Sequence, residues 1–287
     1  MTTGEGAGSV TCDTCPHACK LGPGRVGRCR ARGWQDGTVA PLSYGRITSI
    51  ALDPVEKKPL ARWRPGGWLV SVGSYGCNLS CPFCQNHQIA QAGADDVPWR
   101  TVLPEELVGI TLDARARNQQ RVEGIAHTYN EPLVAWEYVR DTGVLAHEAG
   151  LANVLVSNGC AQPHVIDALA PLVDAANVDL KGFTSDYYRW CGGDLDTVKA
   201  SIKRLAAEPT CHLEVTTLIV PQRNDDPHAM EDLARWLGSI DPNITLHVTR
   251  YFPRWRMSGG NPTPVTTVHE LADVARGELA HVVVGNC

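Results

Sequence analysis

The segment from residue 68 to residue 252 alternates short apolar runs with helical stretches, and this alternation constrains the fold most strongly. Six runs have the length and the nearly continuous apolar character of buried strands: 68–73, 124–129, 152–158, 176–182, 212–220 and 244–252. The intervening segments carry apolar residues at helical spacing, and several open with Pro or Asp. Buried strands separated by amphipathic helices predict a parallel sheet with helical crossovers. Six such units indicate an α/β fold, a partial (β/α)6 TIM-like barrel, with a doubly wound open sheet as the alternative.

Each predicted strand ends in polar or ligand-capable residues. The first leads into the loop around Cys77, and the others lead into TYNEP, SNGC, DLKG, VPQRND and HVTRYFPR. In a parallel barrel, functional side chains gather at the carboxyl ends of the strands. Polar clusters at every corresponding position therefore predict an enzyme whose active site lies at that end of the barrel.

The first part of the chain differs in character from the barrel segment. Residues 1–11 are rich in Gly, Thr and Ser and are predicted to be disordered. Residues 12–66 are rich in turns and have too little apolar periodicity for a core of their own. A metal bound by cysteines is the expected substitute for that core. We therefore expect a cysteine-rich metal or auxiliary-cluster module over 12–66 and the barrel over 67–287.

Charge and the N-terminal sequence bear on the compartment and the partners. The formal net charge of −5 at pH 7 argues against a nucleic-acid-binding protein, which is usually basic. No apolar run approaches the roughly 18 residues that span a bilayer. The start of the chain, MTTGEGAGSV, lacks the basic and apolar regions of a signal peptide. We therefore expect a cytoplasmic protein, in which clustered cysteines bind metal rather than form disulfides.

Cys77, Cys81 and Cys84 form one of two cysteine clusters and have the spacing C-x3-C-x2-C. Thiolates are soft ligands that select zinc, copper or iron–sulfur clusters. Three thiolates leave one metal position without a protein ligand, as in catalytic sites that keep a position open for substrate. The alternative is a structural zinc site that His87 completes.

Cys12, Cys15, Cys19 and Cys29 form the second cluster, with the spacing C-x2-C-x3-C-x9-C. Four thiolates within 18 residues can close a tetrahedral zinc site. An auxiliary [4Fe-4S] cluster, which we favour, suits the same ligands, because neighbouring arginines offset its negative charge. These arginines are Arg25, Arg28, Arg30 and Arg32. If Cys29 only packs nearby, the first three cysteines alone are ligands, and His17 is a possible substitute.

Two further groups of residues are expected to be structural. Free cysteine is commonly a small buried apolar residue. This role is expected for the four scattered cysteines, Cys160, Cys191, Cys211 and Cys287. For Cys287 a role as a metal ligand is left open as well. Lys57 and Lys58 of DPVEKKPL are expected at the surface, where most lysines lie, with a substrate contact as the alternative.

The Cys77 loop, GCNLSCPFCQN, resembles the cluster loop of radical S-adenosylmethionine (SAM) enzymes, including the aromatic Phe83 before the last cysteine. Other motifs resemble the AmmeMemoRadiSam-type group, which is related to pyruvate formate-lyase-activating enzymes. They are CPHACKLGPGRVGRC, DPVEKKPL, TYNEP, VSNG, NVDLKGF, YYRWCGG, EVTTLIVP and RYFPRWRM. The resemblance runs from about residue 12 to residue 286 and covers nearly the whole chain.

This resemblance implies a set of cofactors. Cys77, Cys81 and Cys84 would hold a [4Fe-4S] cluster whose open iron binds the amino and carboxylate groups of SAM. One electron from a flavodoxin- or ferredoxin-type donor would break the sulfonium C–S bond. The products would be methionine and a 5′-deoxyadenosyl radical that abstracts hydrogen from the substrate. A barrel interior that excludes water protects such a radical from side reactions.

Several side chains at the strand ends are candidates for contacts with SAM. Asn130 and Glu131 of TYNEP stand where relatives place a polar motif, commonly Gly-Gly-Glu, against the SAM amino group. The glycines are absent here, and Asn130 has an alternative role as a helix N-cap before Pro132. Phe83 and Asn86 frame the cluster loop. Later strand ends add Asn158, Asp179 and Lys181 as candidates for SAM or substrate contacts.

The last predicted strand and the loop after it carry basic candidates. His247 and Arg250 lie on alternating faces, so both cannot point inward unless the strand bends. Together with Lys181 they are the candidates for a catalytic role. Arg254 and Arg256 in the following Pro-rich loop either bind an anionic substrate or form a solvated basic loop.

We expect a radical SAM enzyme that acts on a small anionic metabolite. The reaction is a rearrangement, or a sulfur insertion that uses the auxiliary cluster. One alternative is an activase that generates a glycyl radical on a partner protein. An alternative from another class is a non-catalytic zinc- or iron-binding interaction protein, for which the polar strand ends would be coincidental. Neither a nucleic-acid nor a membrane partner is expected.

Overall fold

An eight-stranded sheet forms the centre of the molecule in the computed structural model, which describes residues 8–117 and 121–287. In chain order the strands are β1 (Val10–Thr11), β2 (Lys20–Leu21), β3 (Arg32–Gln35), β4 (Thr38–Pro41), β5 (Arg46–Ile47), β6 (Ser49–Pro54), β7 (Trp68–Gly73), β8 (Arg100–Thr101), β9 (Val122–His127), β10 (Ala152–Ser157), β11 (Ala175–Asp179), β12 (His212–Ile219), β13 (Thr245–Arg250) and β14 (Val282–Gly285). The sheet order is β14-β13-β12-β11-β10-β9-β7-β6. All neighbours pair in parallel except β6 and β7, which are antiparallel. The predicted α/β fold, a partial barrel of parallel strands, is confirmed.

Within the described residues, eight α-helices connect the strands or cover the sheet. They are α1 (His87–Ala90), α2 (Pro104–Arg117), α3 (Trp136–Glu148), α4 (Pro163–Leu169), α5 (Ser185–Cys191), α6 (Leu195–Ala207), α7 (Pro227–Gly238) and α8 (Val265–Arg276). Short 3-10 helices lie at Val55–Lys57, Pro132–Ala135 and Ala170–Leu172. None of the helices in this part of the chain is long and apolar enough to cross a membrane.

The predicted strands correspond to β7, β9, β10, β11, β12 and β13, and the sheet has one more strand at each edge. β14 pairs with β13 from Leu246↔Val282 to Thr249↔Gly285. At the other edge, β6 pairs with β7 from Ser49↔Gly73 to Pro54↔Trp68. Because β6 lies inside the segment predicted as a separate module, the predicted boundary at residue 66 falls between two strands of one sheet.

The helical stretch predicted over residues 185–207 forms two helices, α5 and α6. Gly192 adopts the left-handed conformation, with φ of 75°, and ends α5. Asp194 begins α6, because its side chain accepts a hydrogen bond from the backbone N–H of Thr197 at 2.8 Å. The break brings the end of α5 against the cysteine loop, where the N–H of Ser80 donates to the carbonyl of Cys191 at 2.8 Å.

Residues 55–67, which we call the plug segment, close the amino-terminal end of the barrel. Its apolar residues cluster with side chains of the strands: Val55, Leu60, Trp63, Leu69, Ala126, Ala152, Val154 and Ala175. The buried carboxylate of Glu214 on β12 accepts hydrogen bonds from the backbone N–H groups of Ala61, at 3.0 Å, and Arg62, at 2.8 Å. The barrel interior is therefore filled, at the amino-terminal end of the strands, by residues that precede its first parallel strand.

The N-terminal module consists of short paired strands. β1 pairs with β2, and β3 pairs with β4, both antiparallel. β5 pairs with β8, which follows the cysteine loop in sequence. Of the predicted disordered segment 1–11, residues 1–7 lie outside the described residues, whereas Val10 and Thr11 form β1. Ordered structure therefore begins before the first cysteine.

Candidate active site

A cavity opens at the carboxyl ends of the parallel strands. Its volume is about 1140 Å³, including its opening to solvent. Its wall contains Thr128 after β9, Asn158 after β10, Asp179 of β11, Thr216 of β12 and Thr249 of β13. Active sites of parallel barrels form at this end. The polar strand ends that suggested an enzyme thus converge on one cavity.

Cys77, Cys81 and Cys84 all line this cavity. Burial raises the pKa of the Cys77 thiol well above its ordinary value and that of Cys84 to about 11. A bound metal reverses this preference, because thiols bind metals as thiolates. The sulfur of Cys77 receives hydrogen bonds from the N–H of Leu79, at 3.3 Å, and the amide of Asn158, at 3.6 Å. Such donors are typical of iron–sulfur ligands, so this site fits an iron–sulfur cluster.

His87, the alternative fourth ligand, is engaged outside the cavity. Its Nδ1 lies 3.2 Å from the carbonyl oxygen of Cys84, and its ring stacks on Trp255 with 5.6 Å between centroids. His87 is not among the described residues that line the cavity. Nor are any three His, Cys, Asp or Glu side chains in residues 8–117 and 121–287 already arranged around a metal position. The arrangement does not favour a zinc site completed by His87.

Glu131 lies in the cavity wall with its carboxylate almost completely buried. The carboxylate accepts hydrogen bonds from the N–H of Leu133 at 2.9 Å, the hydroxyl of Ser157 at 2.7 Å and the N–H of Asn158 at 2.8 Å. Burial raises the pKa of Glu131 to about 7 in spite of these donors. The group therefore stands close to its titration point at neutral pH.

Asn130 also lines the cavity, but its side-chain amide holds the cysteine loop. Its oxygen accepts from the N–H of Ser74 at 2.9 Å. Its nitrogen donates to the carbonyls of Tyr75, at 3.1 Å, and Gly76, at 3.0 Å. The predicted N-cap role of Asn130 is wrong, because Glu131 is the residue that caps the 3-10 helix at Pro132.

Asp179, Lys181 and Phe83 line the same cavity. Lys181 Nζ lies 2.9 Å from Asp179 Oδ2. Burial by itself would lower the pKa of Lys181, but the negative charge of Asp179 raises it well above its ordinary value. Phe83 packs on Trp190, with 5.6 Å between centroids. The lysine therefore stays charged beside the three thiols, and Phe83 fixes the loop that carries them.

His247 and Arg250 do not line the cavity among the described residues. His247 is buried, and its Nε2 lies 2.5 Å from Oε2 of Glu214 beside the plug segment. The guanidinium of Arg250 donates through Nε to the carbonyl of Thr263 at 2.7 Å. The two side chains point to different faces of β13, as the alternation required. Of the predicted catalytic candidates, only Lys181 is brought to the cavity.

Arg254 and Arg256 are exposed in the loop after β13. The backbone N–H of Arg256 donates to the carbonyl of Pro82 at 3.1 Å, so this loop contacts the cysteine loop. The Arg256 guanidinium lies over the ring of Trp255, 4.3 Å from its centroid. Neither arginine lines the cavity in the described part of the chain. The two arginines are therefore exposed outside the cavity.

Tyr129 is a cavity residue that the sequence analysis missed. It has a positive φ of 71°, which is strained for a residue other than glycine. Its hydroxyl donates to Asp53 Oδ2 at 2.6 Å, and Lys58 Nζ lies 2.8 Å from the same oxygen. Lys58 is only 2% exposed, so its predicted surface position is wrong, whereas the side chain of Lys57 is 67% exposed. The sequence signal that could have indicated a buried Lys58 is Asp53, the carboxylate five residues before it in DPVEKKPL.

The four cysteines of the N-terminal module lie together behind the cysteine loop. Cys12, Cys15 and Cys29 are buried and Cys19 is half-buried. Burial, together with the neighbouring Cys29 and Cys12, raises the pKa of Cys15 to about 11. A Cβ atom on Gly27 would lie 3.7 Å from the sulfur of Cys19 and 3.8 Å from that of Cys29. Cys29 therefore stands with the other three.

The polar surroundings of these four thiols also suit a metal. The N–H of Arg28 donates to the sulfur of Cys19 at 3.5 Å. Burial raises the pKa of the Cys29 thiol, and the nearby backbone N–H groups of Ala31 and Arg32 partly oppose this. The Nε2 atom of His17, the possible substitute ligand, is already engaged, because it lies 2.8 Å from the carbonyl oxygen of Asn78. Four sulfurs are the donor set of a tetrahedral zinc site or of an iron–sulfur cluster, but the side chains of the described residues are not already arranged around a metal position.

Comparison with known sequences adds a second line of evidence. A sequence model of the radical SAM superfamily matches residues 71–237. An uncharacterized protein of Methanocaldococcus jannaschii is 35% identical over 279 residues, which cover 96% of this chain and 81% of the relative. The match therefore extends through the N-terminal module as well as the barrel.

Comparison with solved structures concerns the fold. A radical SAM methyltransferase from Sphaerobacter thermophilus has a TM-score of 0.56 at 18% identity and covers 77% of this chain and 67% of its own. SuiB from Streptococcus suis, solved with S-adenosylmethionine, has a TM-score of 0.58 at 13% identity. That match covers 74% of this chain and 48% of SuiB. At such identities the likeness establishes a shared fold.

Proposed function

This chain belongs to the radical SAM superfamily, and we propose that it cleaves SAM reductively at the three-thiol cavity and abstracts hydrogen from a small anionic metabolite. Membership confirms the predicted superfamily and the enzyme class, and it implies a [4Fe-4S] cluster and SAM as cofactors. The observation that carries the proposal is the convergence of Cys77, Cys81 and Cys84 with Asp179 and Lys181 in one cavity.

The reaction divides between the cofactor and the chain. Cys77, Cys81 and Cys84 would hold the cluster, and the chemistry it would supply when bound is the one-electron cleavage of the sulfonium C–S bond of SAM to a 5′-deoxyadenosyl radical. The plug segment excludes water from the amino-terminal end of the barrel, and this protects a radical in the cavity at the carboxyl end. The protein therefore provides ligands, orientation and a dry interior.

Glu131 is our candidate for the amino group of SAM. A carboxylate offers about four acceptor positions, and three donors from the chain already occupy Glu131. The remaining position suits an ammonium group, which would also favour the charged carboxylate. Asn130 acts indirectly in this proposal, since its amide holds the loop of Cys77 in place.

Asp179, Asn158 and Lys181 supply the remaining polar contacts in this proposal. Asn158 is fixed through Asn78 and the N–H of Cys160, at 2.9 and 2.8 Å, so its position is set by the chain. Lys181 offers a cation to a carboxylate or phosphate, which supports an anionic substrate. Asp179 balances this charge when no substrate is bound. The electron comes, in this proposal, from an external flavodoxin- or ferredoxin-type protein.

Anaerobic reconstitution of the full chain tests the function. The wild type is expected to bind at least about four irons per chain and to form 5′-deoxyadenosine from SAM and dithionite. Replacing Cys77, Cys81 and Cys84 together by Ala should abolish this product. The matched control, Cys211→Ala, lies before β12 away from the cavity and should retain it.

Two results would contradict the proposal. One is fewer than about three irons in the wild type, and the other is unchanged 5′-deoxyadenosine formation in the triple variant. The substrate class is tested by adding deuterated anionic metabolites and measuring deuterium in 5′-deoxyadenosine. Transfer only from a partner polypeptide would instead support a glycyl-radical activase.

A further inference from the structure

The chain makes a strained turn between β9 and the 3-10 helix that begins at Pro132. The N–H of Asn130 donates to the carbonyl of Thr128 at 3.0 Å, so this hydrogen bond closes a three-residue turn around Tyr129. With a φ of 71° at Tyr129, it is a γ-turn of the left-handed kind, which is rare and strained. Such a backbone persists only where the surrounding structure fixes it.

The side chain of Tyr129 is anchored by the segment DPVEKKPL. Its hydroxyl lies 2.6 Å from Asp53 Oδ2, the distance of a charge-assisted hydrogen bond. Lys58 Nζ, which lies 2.8 Å from the same oxygen, is also 5.0 Å from the centroid of the Tyr129 ring. Gly73 leaves room for this ring, because a Cβ atom there would lie 2.9 Å from Tyr129 Cδ2. The ring is thus fixed against a carboxylate and an ammonium group that are both buried.

The two residues after the turn act on the site of the three thiols. The side-chain amide of Asn130 makes three hydrogen bonds to the backbone of residues 74–76. Glu131 donates its N–H to the carbonyl of Gly76 at 3.3 Å, and the residue lines the cavity. Because both residues follow Tyr129 directly, a change in its backbone conformation would move both side chains together.

The cysteine loop itself is held at two further points. The side-chain amide of Asn86 donates to the carbonyl of Tyr129 at 2.8 Å. The N–H of Cys77 donates to the carbonyl of Cys29, in the N-terminal module, at 3.2 Å. Gly76 permits this second contact, because a Cβ atom there would lie 2.5 Å from the Cys29 carbonyl oxygen. The γ-turn and the N-terminal module therefore both hold the loop that carries the three thiols.

We propose that Tyr129 is a positioning residue of the active site, whose hydrogen bond to Asp53 holds the γ-turn. The turn then sets Asn130 against the cysteine loop and Glu131 in the cavity. This inference rests on the proposed function, in which Glu131 binds the amino group of SAM. It gives the segment DPVEKKPL a part in the site, since Lys58 fixes the Asp53 carboxylate. Glycine adopts a left-handed backbone without an anchor, whereas tyrosine needs one.

Hydrogen–deuterium exchange of the full chain, measured by mass spectrometry, tests this role without turnover. In Tyr129→Phe the ring remains and the anchor is lost, so the amides of residues 74–77 should exchange about tenfold faster than in the wild type. In Tyr129→Gly the anchor is also lost, but the turn is unstrained, so exchange should stay within about twofold of the wild type. Tyr44→Phe, the matched control, loses a bond to Asp141 of 2.7 Å at a residue without positive φ and should not change this exchange.

The order of the two variants decides the matter. A tyrosine that only packs in the cavity wall predicts the reverse order, with glycine more disruptive than phenylalanine. Faster exchange in Tyr129→Gly than in Tyr129→Phe would therefore overturn the role, as would equal exchange in Tyr129→Phe and the wild type. Urea denaturation shows whether each variant folds. Folding of the glycine variant alone would support the role, whereas failure of both variants, or of the glycine variant alone, would overturn it.

Kinetics of the reconstituted enzyme separate this inference from the proposed function. Tyr129→Phe should raise the KM for SAM about tenfold with little change in kcat, because binding rather than the chemical step is weakened. Tyr129→Gly should restore the wild-type KM. The expected exchange order without 5′-deoxyadenosine from the wild type would contradict the function and support the role of the turn. Formation of 5′-deoxyadenosine with the reverse exchange order would overturn that role and leave the function standing.

Discussion

Lys57 and Lys58 are adjacent, have the same side chain and bind the same carboxylate, yet they are expected to contribute differently to stability. Lys58 and Asp53 form a buried pair, whereas the Lys57 ammonium reaches Asp53 from solvent at 3.3 Å. Removing one partner of a buried pair leaves a charge without compensation. An exposed pair contributes little. Residue type alone does not distinguish the two lysines, but burial does.

We expect Lys58→Met to lower the free energy of unfolding by about 3 kcal/mol, the lower end for a broken buried pair, because Tyr129 and Lys57 still donate to Asp53. Lys57→Met, the matched control, should change it by less than about 1 kcal/mol. Urea denaturation of both variants measures the difference. Equal losses would show that the burial of Lys58 is not what matters.

At the scale of elements, the plug segment is held by a carboxylate on a strand far away in sequence. Burial alone would raise the pKa of Glu214, but hydrogen bonds from His212, His247 and the two plug N–H groups lower it to about 2. A carboxylate with a lowered pKa stabilises the fold fully above its unfolded value, about 4.3. That contribution is lost as the pH falls from there toward 2.

Glu214→Gln should therefore lower stability at neutral pH and flatten its pH dependence between about 4.3 and 2. The glutamine amide turns a donor toward donors, so at least one buried N–H of the plug loses its acceptor. Urea unfolding of the metal-free protein over this pH range measures the effect. Glu56→Gln, in an exposed part of the plug segment, is the control. A slope unchanged from wild type would contradict the role of Glu214.

Gly76 and Gly150 share left-handed backbone conformations but differ in their surroundings. A Cβ atom on Gly76 meets the Cys29 carbonyl at 2.5 Å, whereas one on Gly150 meets nothing within 4 Å. Gly150→Ala should destabilise by about 1–2 kcal/mol through backbone strain alone. Gly76→Ala should add about 1–3 kcal/mol of overpacking. Thermal unfolding and iron retention measure both, and equal effects would mean that the module shifts freely.

At the scale of the whole molecule, charge is distributed unevenly. Five arginines near the cysteine loop form no ion pair with a carboxylate in the described residues: Arg28, Arg30, Arg223, Arg254 and Arg256. Arg223 lies over Trp190, 4.5 Å from the ring centroid, and Trp190 packs on Phe83 of the loop. A chain with a net charge of −5 thus keeps positive charge around its three-thiol site. Such a patch steers acidic partners.

Charge reversal of two of these residues tests that steering. Arg223→Glu combined with Arg256→Glu should slow reduction by an acidic bacterial flavodoxin about tenfold at low salt. The rate should also lose most of its dependence on ionic strength. Arg117→Glu, with a side chain 78% exposed on α2, is the control. Stopped-flow absorbance is measured at 50 and 500 mM NaCl, where the Debye length is about 14 and 4 Å. A salt dependence equal to that of the wild type would contradict the steering.

Periodicity predicted the inner strands because buried parallel strands are continuously apolar, and the cysteine spacing identified the three thiols that line the cavity. The edge strands β6 and β14 were not predicted as members of the barrel sheet, since edge pairing depends on neighbours more than on local pattern. The burial of Lys58 and the bond between His247 and Glu214 depend on contacts between distant segments. Such contacts leave no periodic pattern in the sequence. The sequence therefore predicts Lys58 at the surface and His247 in the active site, and both predictions differ from the structure.

The position of β6 has a consequence for how this chain can be divided. A gene fragment encoding residues 67–287 would keep every cavity thiol and the whole family match, and would look like a self-sufficient catalytic unit. It would nevertheless leave the β7 edge unpaired, the lower barrel empty and the Gly76 turn without its backbone partner. Exposed edges invite aggregation. Exchange of the module between relatives, in evolution or by design, must therefore carry the strand and the plug with it.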